Sequence, residues 1–197
     1  IARDYICFGN PDATVIVVDG TCLERNLNLV YQTMEITNKL IVCVNLLDEA
    51  EKKGISINLK LLEKKLGVPV IGTIAKKKKT LNNLMKKVLD VCEGRISPIP
   101  NNVKYNDLIE NCIKLLEPNI KDNLSPQNKY LSRWVSIKLL DNDKKIVDSI
   151  EKNLLSSYLT DTSLENNLNK CNNLLLETNF GKENFKDEIV STILFKA

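Results

Sequence analysis

Lys39-Leu-Ile-Val-Cys-Val-Asn45 decides the fold. Its apolar positions run on without alternation, the pattern of a strand buried on both faces of a parallel sheet. Ala13-Thr-Val-Ile-Val-Val-Asp19 before it and Val68-Pro-Val-Ile-Gly-Thr-Ile74 after it read the same way. Helical periods separate the three. Leu23, Leu27, Val30 and Met34 form one apolar stripe, and Leu59, Leu62 and Leu66 form a second, with Asn58 placed to cap its start and Gly67 to end it. A third helix, from about Thr80 to Glu93, is expected to turn Leu81, Leu84, Val88 and Leu89 inward. Strand and helix in alternation predict an α/β unit with right-handed crossovers.

Beyond residue 96 the strand signal ends. Ser97-Pro-Ile-Pro-Asn-Asn102 suits neither strand nor helix and reads as a linker. Five helices are expected after it, over Tyr105–Leu116, Pro126–Leu140, Lys144–Tyr158, Ser163–Leu176 and Asn184–Phe195. Cap or turn residues mark their breaks: Asp107, Ser125-Pro126, Asp141-Asn-Asp143, Asp161-Thr-Ser163 and Gly181. The division is therefore 1–96 for a partial α/β domain, 97–102 for a linker and 103–197 for an all-helical domain, a fitting partition of 197 residues.

Composition narrows the chemistry. The chain has no histidine, which removes a histidine triad and the commonest metal ligand. Its six cysteines, Cys7, Cys22, Cys43, Cys92, Cys112 and Cys171, form no C-x-x-C pair and read as free buried thiols of a reduced compartment. No specific iron site is expected from scattered thiols and carboxylates. A net charge of +3 is too small for a dedicated nucleic-acid binder. No apolar run is long enough to span a membrane, and no signal peptide is evident. The chain opens on Ile1 rather than methionine, which predicts a longer parent.

The candidate site lies at the end of the second strand, in Val44-Asn45-Leu46-Leu47-Asp48. In an open α/β sheet ligands gather beyond the carboxyl ends of the strands. A carboxylate at Asp48 can accept from the N1–H and 2-amino edge of guanine, whereas adenine would set lone pair against lone pair. Such a charge-assisted pair is worth about 1.5–3 kcal/mol. Alone, N-x-x-D also fits a strand end followed by a helix cap. One strand later, Thr73-Ile74-Ala75 falls where a small residue's backbone N–H would meet the base carbonyl.

Taken together, Val18-Asp-Gly-Thr-Cys-Leu-Glu-Arg-Asn-Leu27, Asn45-Leu-Leu-Asp-Glu-Ala-Glu-Lys-Lys-Gly-Ile55, Leu66-Gly-Val-Pro-Val70 and Thr73-Ile-Ala75 resemble the cytoplasmic G domain of bacterial ferrous iron transport protein B. Ala2-Arg-Asp-Tyr5 and Arg133-Trp-Val-Ser-Ile-Lys-Leu-Leu140 match the same family in the same order, so the resemblance spans about residues 1–158. It implies an α/β P-loop NTPase-like fold, a Ras-like G domain whose N-terminal half is absent here, followed by a helical domain similar to the family's nucleotide-release-inhibiting segment. Asn45 and Asp48 would read guanine, Leu46 would pack near its ring, and Thr73, Ile74 and Ala75 would form the second base loop.

The implied ligands are GTP or GDP, with Mg2+ in the intact G domain. The implied partner is a membrane pore domain of the same polypeptide, at the cytoplasmic face of the cell membrane; a homo-oligomer stays open. Two departures stand out. The phosphate loop G-x-x-x-x-G-K-S/T, the switch threonine and the D-x-x-G motif are nowhere in the chain. Its parent is expected to be a GTPase, while this chain alone is expected to be inactive. Lys76-Lys-Lys-Lys79 replaces the family's glycine and acidic residues in the base loop. That run reads as a solvated loop, with nucleotide phosphate, anionic lipid or a partner protein left open as contacts. The competing function is a noncatalytic regulatory or interaction module attached to a membrane protein.

Overall fold

The computed structural model describes residues 2–154, 162–178 and 182–197. They divide into two compact units, one reaching to Val103 and the other covering Lys104–Phe195.

In the first unit, α1 (Ala2–Phe8) precedes β1 (Thr14–Asp19), α2 (Leu23–Met34), β2 (Leu40–Asn45), α3 (Leu47–Lys52), α4 (Leu59–Leu66), β3 (Val70–Gly72) and α5 (Lys78–Cys92). The strands form one parallel sheet in the order β1-β2-β3, with Val18 beside Val44 and Val44 beside Gly72. The central strand is as dry as its sequence predicts: Leu40, Ile41, Val42 and Val44 are fully buried. β1 departs from expectation. Ile16 and Val18, on one face of the strand, are covered, while Val15 and Val17, on the other, are exposed.

Helix α2 buries Leu27, Val30 and Met34 as anticipated and adds Tyr31. Asn58 caps α4 by accepting from the Leu61 N–H at 3.0 Å, and Gly67 ends it at φ +73. A Cβ on Gly67 would also meet the Ile99 carbonyl at 2.1 Å, so glycine is required twice over. Residues 97–102 have no helix or strand, yet Ile99 and Asn101 donate backbone N–H bonds to the carbonyls of Gly67 and Leu66. Helix α5 covers only part of the expected face. Val91 is buried and Leu84 and Val88 are half-buried, while Leu81 and Leu89 lie exposed. The covered stripe follows positions 84, 88 and 91; Leu89 stands about 100° round the helix from Val88, whereas Leu81 shares that face and is exposed near the start of the helix.

The second unit contains α6 (Asp107–Asn123), a 3₁₀ segment (Pro126–Leu131), α7 (Ser132–Asp141), α8 (Lys144–Asn153), α9 (Thr162–Glu177) and α10 (Lys182–Lys196). The helix expected to end at Leu116 runs on to Asn123, through Pro118. Proline forfeits one intrahelical bond there, and burial of Ile113, Leu116 and Ile120 on both sides of it outweighs the loss. Asn106 rather than Asp107 caps this helix, its Oδ1 accepting from Ile109 N–H at 3.0 Å. Asp143 caps α8 as expected. The expected breaks at Asp161 and Gly181, and the expected end of the third helix at Tyr158, lie outside the described residues.

Trp134 is 3% exposed and belongs to the core with Val135, Ile137, Leu139 and Leu140. Beside them Arg133 makes two hydrogen bonds to Glu110, at 2.7 and 2.9 Å, and stands 5.5 Å from the Tyr105 ring centroid. Tyr105 N–H donates to the same carboxylate at 2.8 Å. Burial pushes the Glu110 carboxyl up, but the Arg133 hydrogen bonds and the Tyr105 N–H prevail and hold it below the usual carboxylate range. Of the six cysteines, which are all free, Cys7, Cys43, Cys112 and Cys171 are buried; Cys22 and Cys92 are exposed, contrary to a uniformly buried set.

Candidate functional site

The predicted site is built where β2 and β3 end. Asn45 closes β2, and the chain reverses immediately at Leu46, a non-glycine residue in the left-handed region at φ 59 and ψ 35. That conformation costs an L-residue about 1 kcal/mol. It directs β2 straight into α3, so that Asn45 and Asp48 occupy the same strand end. Leu46 N-caps α3 in position only, its side chain exposed, and Asp48 falls inside the helix's first turn rather than at its cap. Leu47 anchors the turn: its side chain packs where a Cβ on Gly72 would meet it at 2.4 Å, so glycine in β3 leaves room for it without a leucine having to shift.

A short polar chain fixes Asn45. The buried Thr73 hydroxyl donates to Asn45 Oδ1 at 3.1 Å and lies 3.2 Å from the Cys43 thiol, which can donate to it. Cys43, Thr73 and Asn45 therefore form one line of hydrogen bonds across β2 and β3, with every buried member satisfied. Holding Oδ1 in this way leaves the amide Nδ2 of Asn45 as the outward donor. Backbone bonds tie the two loops as well, from Thr73 N–H to the Val44 carbonyl at 2.7 Å and from Leu47 N–H to the Thr73 carbonyl at 3.4 Å. Ile74 is half-buried and Ala75 is exposed in the following turn.

The residue that shapes that turn is Thr80. Its Oγ1 accepts from Ile74 N–H at 3.1 Å and lies 2.7 Å from the Lys77 carbonyl and 3.0 Å from the Ile74 carbonyl, either of which can take its proton. Sequence reading missed both Cys43 and Thr80. Cys43 looked like any apolar strand residue; Thr80 carries a legible signal, a hydroxyl in the first turn of a helix.

A cavity of about 570 Å³ opens elsewhere in this unit, lined by Thr21, Cys22, Arg25, Ile57, Leu61 and Lys65 among others. None of Asn45, Leu46, Asp48, Thr73, Ile74 and Ala75 lines it. Among the described residues no group of three or more His, Cys, Asp or Glu is placed to hold a metal ion, and no helix is long and apolar enough to cross a membrane.

A parallel three-stranded α/β unit followed by a helical unit is the arrangement of a partial G domain with an attached helical domain. Residues 1–88 match the family model of ferrous iron transport protein B, and residues 105–193 match that of the FeoB cytosolic helical domain. The chain belongs to this family. It is 33% identical over 137 residues to an Fe(2+) transport protein A/Fe(2+) transporter FeoB fusion protein of Porphyromonas gingivalis, covering 69% of this chain and 16% of that protein. To an Fe(2+) transporter FeoB of Staphylococcus aureus it is 26% identical over 156 residues, 79% of this chain and 23% of that one. The chain thus spans less than a quarter of the length of these curated relatives. Among solved structures, NFeoB from S. thermophilus bound to GDP.AlF4- and K+ superposes with a TM-score of 0.74 at 25% identity, over 100% of this chain and 72% of that one. The mGMPPNP-bound NFeoB from S. thermophilus gives 0.72 at 27%, over 100% and 70%.

Proposed function

We propose that this chain is the guanine-reading part of a GTPase module, with its helical domain, in a ferrous iron transporter. The observation that carries the reading is the strained Leu46 turn, which places Asn45 and Asp48 together at a strand end beside a second loop, Thr73 to Ala75, pinned by Thr80. Strain of this sort in a non-glycine residue persists where the surrounding structure enforces it, and it clusters at binding sites. Relatives crystallised with GDP.AlF4- or mGMPPNP support the same ligand class.

In this reading the Asp48 carboxylate accepts from the guanine N1–H and 2-amino group. The Asn45 Nδ2 donates toward the base, the exposed Leu46 side chain covers its ring, and the 73–75 loop meets its carbonyl edge. Phosphoryl transfer itself needs a phosphate loop and a Mg2+ site, and no residues of this chain match either motif. The chain contributes base selection, and by itself is expected to release no phosphate from GTP. The module would work at the cytoplasmic face of the membrane, joined to a pore domain, with the helical domain restraining nucleotide release.

Asp48→Asn tests the assignment in the intact transporter. The amide can donate to a 2-oxo group, so preference should move from guanine to xanthine nucleotides by a factor of about ten or more, the equivalent of one charge-assisted pair. Unchanged preference in competition against GDP would contradict it.

A further inference from the structure

The segment from Lys76 to Leu89 holds six lysines and no carboxylate. Through residue 100 the chain has 15 basic and 11 acidic side chains, a difference of 4 that the run Lys76–Lys79 supplies entirely. All four of these lysines are exposed, and none of them has an ion pair among the described residues, whereas Lys52, Arg95, Lys121 and Lys186 each do. Lys78 and Lys79 open α5, and its first turn contains no acidic residue. Cations are disfavoured at that positive end of the helix dipole. Lys86, seven residues after Lys79, lies on the same helix face and is also exposed.

We propose that Lys76–Lys79, continued by Lys86, is an interaction surface for anionic phospholipid. The inference rests on the transporter reading above, which keeps a membrane within reach of this unit. Charge complementarity selects the partner. These are ammonium groups on flexible stems with no arginine fork among them, so they suit a diffuse sheet of negative headgroups better than a shaped pocket for a single phosphate. A nucleic acid is a poorer match, because the remaining charges of the unit cancel.

The test is co-sedimentation of the whole chain with vesicles, either of phosphatidylcholine alone or of equimolar phosphatidylcholine and phosphatidylglycerol. Binding should need the anionic lipid and weaken as salt rises. Each lysine removed should lower the partition coefficient about fivefold, the equivalent of roughly 1 kcal/mol. K76Q/K77Q, both outside α5, should therefore lose about twenty-five-fold. K76Q/K77Q/K78Q/K79Q should bind several hundredfold less while keeping its circular dichroism. K144Q/K145Q/K152Q/K170Q removes the same charge from the helical unit and should bind like the unaltered chain.

Equal losses in the two quadruple variants would overturn the proposal, as would equal binding to pure phosphatidylcholine. So would a bulk RNA competitor that displaces the chain from the vesicles at charge-equivalent concentration. Failure of base reading would look different, because vesicle binding requires no nucleotide.

Discussion

The two units treat charge in opposite ways. In the helical unit the buried Glu110 pairs with the half-buried Arg133, with the Tyr105 N–H and ring completing the cluster. In the α/β unit Asp48 sits half-buried at a strand end beside a left-handed leucine, and four lysines crowd the positive end of α5. Buried charges need partners to persist. Groups at the strand ends are instead held by backbone geometry and hydrogen-bonded neighbours, and remain available. One unit spends its polar groups on internal order; the other presents them outward.

The contrast breaks most severely at Glu110. Glu110→Ala leaves the half-buried Arg133 guanidinium without its carboxylate and should lower stability by about 1.5–3 kcal/mol in urea denaturation. Asp48→Asn should leave the same curve unchanged within about 0.5 kcal/mol, as expected of a side chain not committed to folding. Acid sharpens the comparison. Because the folded Glu110 carboxyl titrates below its ordinary value of 4.5, its stabilisation is complete above that pH and is lost as pH falls through the lower folded value. Melting followed at Trp134 fluorescence should therefore drop below pH 4.5 in the unaltered chain, and Glu110→Gln should remove that part of the drop. Thr80→Val should cost about 1 kcal/mol by freeing the 74–77 turn and should speed amide exchange at Ile74. The smallest effect belongs to Leu46→Asn, which eases the left-handed turn and should stabilise the chain by up to about 0.5 kcal/mol while weakening base binding.

Much of this was legible in the sequence because its signals are local. Continuous apolar runs fixed the strands, Asn58 and Gly67 bounded α4, and N-x-x-D marked the strand end. What was not legible depends on neighbours. Val15 and Val17 look as buried as Ile41, but the face of β1 that carries them is exposed in this chain. The continuation of α6 past Leu116 and through Pro118 is held by the burial of Ile113, Leu116 and Ile120. The left-handed conformation of Leu46 has no composition signal at all, since leucine is a residue that rarely adopts it. Thr73 was singled out for its position, but its link to Cys43 spans thirty residues and only the parallel register of β2 and β3 brings them together.

Amide chemical-shift mapping of this chain tests base reading most directly, because it registers weak binding without a phosphate loop. Titration with GDP should move the amides of residues 45–48 and 73–76, titration with ADP should leave them in place, and Asp48→Asn should abolish the difference. Equal shifts with both nucleotides, or shifts confined to other parts of the chain, would contradict the assignment of Asn45 and Asp48 to guanine.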